Sequence, residues 1–270
     1  MNDFQKNILD NEKICGGTAV SNIGGIILFS SDISFEMTQR CVDKALEAIP
    51  AIRLRLNKDD ELYPVEYTHK QISCTEINGG YEELRREAEK IISTPFESIY
   101  DCDLFDIGYI KCGEYKAGWL KLHHLLGDAA SIVLFCSVMD SLYTAELTGK
   151  EVSAEVPETV YPSMSEKRLE SAKKYFFERL ENTEPMYLSE TRVSDVKADM
   201  MRFSYPKVHK NMSAVFYAAL YVYLSAVTDR KRIVFGNVMG NRTKTEFPMF
   251  GMFANTLPFE IGRASCRERV

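Results

Sequence analysis

Apolar and polar positions along the chain follow two periods, which predict alternating strands and helices. A continuous apolar run, or an apolar residue at every second position, is typical of a strand, whereas apolar residues spaced three and four apart are typical of a helix. The strand pattern occurs in residues 18–30, 51–56, 62–68, 104–111, 115–122, 199–205 and 232–238. The helix pattern occurs in residues 34–48, 81–92, 128–147, 165–180 and 213–227.

Local signals set the ends of several of these elements. Ser34 is an expected N-cap, because its hydroxyl can accept a backbone N–H of the first helical turn, and Pro50 ends the helix that Ser34 begins. Residues 112–114 form the expected turn of a hairpin between two strands. Gly149 is the expected C-cap of the long helix that follows Asp128.

The segment 150–162 is the predicted linker, since it is rich in Glu, Val and Pro and has no sustained period. Strands and helices are interspersed on both sides of it, which predicts two layered α/β lobes covering residues 1–155 and 163–260. Residues 261–270 abandon the preceding pattern and resemble a translated sequencing adapter. They are predicted to be a non-native tail, so the second lobe is expected to be partial and the chain a fragment.

Composition narrows the class of protein. The apolar content of 45% and charged content of 27% are typical of a soluble globular protein, and a net charge of −6 argues against a nucleic-acid partner. No apolar stretch approaches the roughly 18 residues of a membrane span, and the first residues lack the pattern of a signal peptide. The seven dispersed cysteines include no C-x-x-C pair, which predicts reduced thiols in the cytoplasm.

The run from His123 to Asp128 is the strongest candidate for chemistry, because it lies where a predicted strand gives way to a predicted helix. His123 and His124 are adjacent on an extended segment, so their side chains point to opposite faces and only one can face a given cavity. This argues against a shared metal ion, and His69 and His209 offer no ligand spacing. A single imidazole facing a cavity suits proton transfer. Asp128, at the helix start, either takes part in catalysis or holds the loop.

Condensation domains of nonribosomal peptide synthetases, and their relatives in the chloramphenicol-acetyltransferase-like superfamily, carry a His-His-x-x-x-Asp-Gly motif. The segment 123–129 resembles this motif, with His123, His124 and Asp128 in place and Ala129 where the family has glycine. Segments 234–242 and 250–258 resemble two linked downstream motifs. The second reads Gly-Met-Phe-Ala-Asn-Thr-Leu-Pro from residue 251, close to the family's Gly-x-Phe-Val-Asn-Thr-Leu-Pro. The resemblance covers residues 5–260.

The resemblance implies a two-lobed α/β fold of the chloramphenicol-acetyltransferase type, with a complete N-terminal lobe and a partial C-terminal lobe. It implies that His124, His123 and Asp128 are the catalytic residues of the motif. His124 is expected to contact the reacting amine, as general base or by positioning it, and His123 is expected to support the loop.

Further residues are expected to support the site. In the family the motif aspartate pairs with an arginine, for which Arg53, Arg55 and Arg242 are the candidates, and Arg53 is the first choice. Gly127 and Ala129 keep the turn slim. The downstream motif contributes Asn255 as a supporting residue.

The same resemblance implies the reaction. The intact domain would form an amide bond between an acyl or peptidyl thioester and the amine of an aminoacyl thioester, both held on phosphopantetheine arms of carrier-protein domains. An adenylation domain is expected to adjoin it in the parent protein. We expect no directly bound cofactor, no metal ion and no nucleic-acid or membrane partner, and we expect the fragment alone to be inactive.

Two alternatives are compatible with the same residues. One is a stand-alone acyltransferase that uses an acyl-CoA or acyl-carrier thioester with an alcohol or amine acceptor. The other is a degenerate, non-catalytic docking domain, which the replacement of glycine by Ala129 and the expected truncation both suggest.

Overall fold

The computed structural model describes residues 1–262 except residues 31–32, 153, 164, 185 and 187–209. The chain divides into two compact units. The first comprises Met1–Pro162 and Gly240–Asn255, and the second comprises Ser163–Met239 and Thr256–Val270. The segment Gly240–Asn255, which sequence order had placed in the second lobe, therefore belongs to the first unit.

Five of the six helices among the described residues agree closely with the periodic pattern, and the first is the exception. The six are α1 (Asp3–Ile14), α2 (Phe35–Ala48), α3 (Tyr81–Ile92), α4 (Ala129–Thr148), α5 (Glu166–Leu180) and α6 (Met212–Thr228). Ser34 caps α2 by accepting the N–H of Met37. Gly149 ends α4 with a φ of 67°, a left-handed conformation that glycine adopts without steric cost.

Helix α1 has no counterpart among the predicted helices. Its buried positions are Gln5, Leu9 and Glu12, so two of three are polar and the apolar period is weak. The signal that could have found it is the capping box, in which the side chains of Asn2 and Gln5 each accept the other's backbone N–H.

The strands that the structure describes form three sheets. They are β1 (Asn22–Leu28), β2 (Leu54–Leu56), β3 (Leu62–Pro64), β4 (Ser73–Ile77), β5 (Phe105–Cys112), β6 (Tyr115–His123), β7 (Arg232–Met239) and β8 (Asn255–Gly262). The main sheet has the order β1-β6-β5-β4, antiparallel except where β4 runs parallel to β5. Strands β2 and β3 form the expected hairpin, and β7 pairs with β8.

Two strand predictions need comment. The predicted strand at residues 51–56 is only half correct, because Pro50–Arg53 forms a single 3₁₀ turn before β2 begins. Proline has a fixed φ suited to the first position of a helical turn, which explains the difference. The predicted strand at residues 199–205 and residues 263–270 of the predicted tail lie outside the described residues.

The main sheet of the first unit is covered by helices on both faces. On one face, side chains of β5 and β6 such as Phe105 and Leu122 join the buried residues of α2 and α4 in the main hydrophobic core. On the other face, Trp119 and Ile110 pack with Leu84 of α3 in a smaller cluster. Because β6 lies between β1 and β5, the end of β6 is held from both sides, and the candidate motif begins at that end.

Helix α4 is long and apolar enough, by length and composition alone, to span a membrane. Its packing identifies it instead as a core helix of the first unit, since one face buries residues that include Phe135 and Leu142. Near its end, Glu146 accepts hydrogen bonds from Arg40 and Lys44 of α2. Helix α4 thus has one face in the core, and ion pairs join its last turns to α2.

We expect Phe135→Ala to lower the free energy of unfolding by about 3–5 kcal/mol, because the ring is 2% exposed and its removal leaves a cavity. Val133→Ala, on the same helix but 67% exposed, should change it by less than about 0.5 kcal/mol. Urea denaturation followed by circular dichroism measures both. Similar small losses for the two variants would contradict the assignment of α4 as a core helix.

Candidate active site

The candidate motif occupies the turn between β6 and α4. His123 is the last residue of β6, and Asp128 is the N-cap of α4. The intervening turn is held by backbone hydrogen bonds: the N–H of His124 donates to the carbonyl of Ser21 at 2.8 Å, and that of Leu126 donates to the carbonyl of His123 at 3.0 Å. The strand and the helix therefore place the motif on two rigid elements joined by a fixed turn.

The carboxylate of Asp128 is buried and is bonded on both oxygens. Oδ1 accepts from the N–H of Ser131 at 3.1 Å, which caps α4, and from Nη2 of Arg242 at 2.8 Å. Oδ2 accepts from Nε of Arg242 at 3.3 Å and from the backbone N–H groups of Phe253 and Ala254, each at 3.1 Å. Asp128 thus joins the motif turn to the downstream motif, more than a hundred residues later in the chain.

Arg242 uses its guanidinium on several groups at once. Besides Asp128, it donates to the carbonyls of Glu246 at 2.8 Å, Met249 at 2.6 Å and Gly251 at 2.8 Å. Its guanidinium also lies 4.2 Å from the centre of the Phe253 ring. Only a planar group with five donors can satisfy this set, which a lysine in its place could not do.

The Asp128 carboxyl is kept charged by this environment. Burial alone would raise its pKa, but the hydrogen bonds and positive charge of Arg242, with the N–H groups of Ser131 and Phe253, outweigh burial and lower the pKa below its ordinary value. A carboxylate stabilised in this way is a poor proton acceptor. In the structure, the Asp128 side chain holds the start of α4 and the downstream motif together.

The expectation that Arg53 pairs with Asp128 is wrong. Arg53 donates to the carbonyl of Val65 at 2.8 Å, and Arg55 binds Asp103 at 2.9 Å. Both lie near the 3₁₀ turn and β2, whereas Arg242 lies in the segment that folds back onto the first unit. The resemblance of residues 51–53 to an arginine-containing segment of the family favours Arg53, but the return of residues 240–255 to the first unit places Arg242 against the motif.

Ser131 is a site residue that the sequence analysis missed. Its hydroxyl accepts from the N–H of Gly251 at 3.0 Å and lies 2.9 Å from the carbonyl of the same residue. It also completes a capping box with Asp128. An Asp-x-x-Ser spacing at a helix start was the available signal.

Gly127 lies close to Ser131, as the expectation of a slim turn requires. A Cβ at residue 127 would come within 2.8 Å of the Ser131 Cβ and 3.1 Å of Leu122 Cδ2. Tyr161, at the end of the predicted linker, adds a contact, since its hydroxyl accepts the N–H of Met252 at 3.1 Å. The downstream motif is therefore fixed from the helix and from the linker.

His123 is buried behind the turn, with 1% of its surface exposed. Its Nδ1 accepts the N–H of Leu125 at 3.2 Å, which places the ring proton on Nε2. Nε2 lies 3.5 Å from Oε2 of Glu12. Burial lowers the pKa of His123 well below its ordinary value, and the opposing charge of Glu12 only partly offsets this. The His123 ring is thus enclosed behind the turn and bonded to its backbone at Leu125.

His124 differs from its neighbour in being only half-buried. Its backbone is fixed, but its Nδ1 is buried and has no hydrogen-bond partner among the described residues. Among His123, His124 and Asp128, His124 is the one whose side chain makes no hydrogen bond to a described residue.

Two further predicted residues have clear positions. Ala129 is the exposed first residue of α4 and has a negative φ, so alanine costs the backbone nothing there. Asn255 begins β8 directly after Ala254, but its half-buried side chain makes no hydrogen bond to a described residue. Across the part of the chain that the structure describes, no three His, Cys, Asp or Glu side chains gather as a metal site would require.

Comparison with known proteins decides the family. The condensation-domain family model matches residues 1–265. The chain belongs to the condensation-domain family. It is 26% identical to a surfactin synthase subunit of Bacillus subtilis (strain 168) over 96% of this chain, and 23% identical to a plipastatin synthase subunit of the same organism over 95%. It spans only 8% and 11% of the lengths of these two relatives.

Solved condensation domains share the fold. The first condensation domain of the calcium-dependent antibiotic synthetase, in complex with a substrate analogue, matches with a TM-score of 0.74 and 15% identity, over 97% of this chain and 69% of that chain. The starter condensation domain of rhizomide synthetase, solved as a variant in complex with C8-CoA, matches with a TM-score of 0.76 and 16% identity, over 98% and 66%. The expected chloramphenicol-acetyltransferase-like α/β fold is confirmed.

We expect Arg242→Met to lower the free energy of unfolding by about 3–5 kcal/mol, because it leaves the Asp128 carboxylate buried without its cation. The matched control is Arg55→Met, which breaks a pair with Asp103 whose side chains are about one-third exposed. The control should cost less than about 1 kcal/mol. Urea denaturation at pH 7 measures both, and equal losses would show that burial gives the Asp128–Arg242 pair no special weight.

Stability should fall as the pH drops from about 6.5 to 5, the range in which an unfolded histidine becomes protonated. The folded state keeps His123 neutral, so it binds fewer protons than the unfolded state and loses about 1–2 kcal/mol over this range. Asp128 also contributes to the pH dependence, but at lower pH. Because its pKa is lowered in the folded state, the charged carboxylate stabilises the fold above the ordinary carboxyl pKa, and this stabilisation is lost only in stronger acid.

Urea denaturation as a function of pH tests this dependence. His123→Asn keeps an oxygen that can accept the Leu125 N–H but does not titrate, so its curve should be flatter between pH 6.5 and 5. His69→Gln replaces an exposed histidine and should follow the wild-type curve. A His123→Asn curve as steep as that of the wild type would assign the acid sensitivity to another group.

Proposed function

We propose that this chain carries the amide-forming site of a nonribosomal peptide synthetase condensation domain and that His124 is its catalytic residue. The observation that carries the proposal is the division of roles within the motif. Asp128 is bonded on both oxygens, and His123 is enclosed with Nδ1 occupied. His124 alone has a half-buried imidazole free of structural hydrogen bonds among the described residues.

The reaction follows from the family. The amine of a carrier-bound aminoacyl thioester attacks the carbonyl carbon of a carrier-bound acyl or peptidyl thioester. A C–N bond forms, the C–S bond breaks, the amine loses a proton and the departing thiolate gains one. An imidazole that contacts the amine can accept that proton or hold the amine in line, and either contribution is typically worth about 10²–10⁴-fold.

The partners in this proposal are carrier domains that deliver both thioesters on phosphopantetheine arms, with an adenylation domain in the same synthetase. The similarity to subunits of two synthetases supports this arrangement. A cytoplasmic location, inferred from the cysteines, stays a prediction.

The test is amide formation by the synthetase that contains this chain, with both carriers loaded. His124→Ala should lower the rate about 10²–10⁴-fold, whereas His69→Ala, at an exposed position outside the motif, should leave it unchanged. Undiminished turnover by His124→Ala would overturn the assignment.

A second candidate uses acyl-CoA as the donor in place of an acyl carrier. The observation that favours it is the C8-CoA bound to the structurally similar starter domain of rhizomide synthetase. The assay offers the acyl donor either as acyl-CoA or on its carrier domain. Turnover of the free acyl-CoA is expected only of this second candidate.

The docking-domain alternative rests in part on Ala129, and the position of Ala129 in the structure weakens that part of the argument. The residue is exposed and needs no positive φ. Ala129→Gly in the same assay is expected to change the rate less than tenfold. A complete absence of amide formation by both forms would favour a non-catalytic role.

A further inference from the structure

The side of α1 that faces the core is unusually polar. Its buried positions are Gln5, Leu9 and Glu12, of which Gln5 is 2% and Glu12 is 9% exposed. Residues four and seven positions apart lie on one face of a helix, so the three form a single stripe. Burying an amide and a carboxylate costs free energy unless each finds a polar partner, and both lie at the motif turn.

Gln5 contacts the turn at Leu125. Its Nε2 donates to the carbonyl of Leu125 at 2.8 Å, in a hydrogen bond buried from solvent. Its Oε1 accepts the N–H of Asn2 at 3.0 Å, so the capping box holds the amide in the orientation that points its donor at Leu125. The residue that completes the capping box of α1 therefore also binds the residue that follows His124.

Glu12 faces the same turn two helical turns later. Its Oε2 lies 3.5 Å from Nε2 of His123. Both atoms are buried, and neither has a hydrogen-bond partner among the described residues, so each is the nearest polar group that can satisfy the other. Because Nδ1 of His123 accepts the Leu125 N–H, its proton is on Nε2, on the side of Glu12. A carboxylate that faces an imidazole N–H holds the ring and its tautomer, as outer-shell carboxylates do for histidines that bind metals.

We propose that Gln5 and Glu12 are positioning residues, which act through Leu125 and His123 to hold the turn that carries His124. The turn is then held on both sides of His124, because Glu12 contacts His123 and Gln5 binds Leu125. The N–H of His124 itself donates to Ser21, in the loop that follows α1. This inference rests on the proposed role of His124, but its test does not require catalysis.

The test is amide hydrogen exchange and ¹⁵N NMR of the histidine rings in this chain, which has only four histidines. Glu12→Met and Gln5→Met should speed exchange at the His124 and Leu125 amides tenfold or more relative to the amides of β5 and β6, and should shift the His124 ring resonances. Asp10→Met and Asn7→Met are matched controls at exposed positions of α1 and should leave both readouts unchanged.

A conservative replacement of Glu12 distinguishes a role in positioning the turn from a general contribution to stability. Glu12→Gln keeps an oxygen that can accept from Nε2 of His123, so it should retain slow exchange at Leu125. In the loaded synthetase, Glu12→Met should lower kcat with little change in KM, and Asp10→Met should lower neither.

Three results would overturn the proposal: unchanged exchange at His124 and Leu125, an equal acceleration at all core amides, or failure of Glu12→Gln to retain slow exchange. If Glu12→Met does not fold, Gln5→Met supplies the same test through Leu125. Full activity of His124→Ala would instead refute the proposed function, and the exchange data would still report whether α1 holds the turn.

Discussion

The ion pair between Asp128 and Arg242 is the contact on which the rest of the site depends. Both side chains are 4% exposed, and the carboxylate also accepts backbone N–H groups from the start of α4 and from the downstream motif. A buried carboxylate is tolerated only when its charge and its oxygens are satisfied together. The pair therefore fixes two distant segments of the chain at one place, and breaking it would leave neither segment with a substitute partner.

This constraint explains why the three polar residues of the motif have different roles. Asp128 is held charged by Arg242, and His123 is held neutral by burial behind the turn. Asp128 and His123 fix the position of the backbone on either side of His124. The Nδ1 atom of His124 itself has no hydrogen-bond partner among the described residues. Under the proposed function, the chemistry and the architecture of the motif are carried by different side chains of one short run.

The polar residues that hold the motif turn and the downstream motif come from elements far apart in sequence. Ser131 binds Gly251 of the downstream motif, Tyr161 binds the neighbouring Met252, and Gln5 of α1 binds Leu125. Each is a buried or half-buried polar group whose partner is a backbone group of the site. None of them has an apolar period to reveal it, and a capping signal at Gln5 or Ser131 predicts only a helix start. Local rules thus find such residues as caps, whereas their long-range bonds are seen only in the fold.

The sequence by itself determined the helices other than α1, most strands and the hairpin before the motif, because these depend on short-range periodicity, capping and turn chemistry. It also determined the family, through the spacing of its motif residues. Helices α2 and α3 and the cap at Gly149 lie where the pattern placed them. Tertiary structure decided which arginine meets Asp128, since that depends on residues 240–255 returning to the first unit. It also decided which histidine is enclosed. Periodicity along a chain encodes which side of an element is apolar, but a buried charge finds its partner only once distant segments have packed around it.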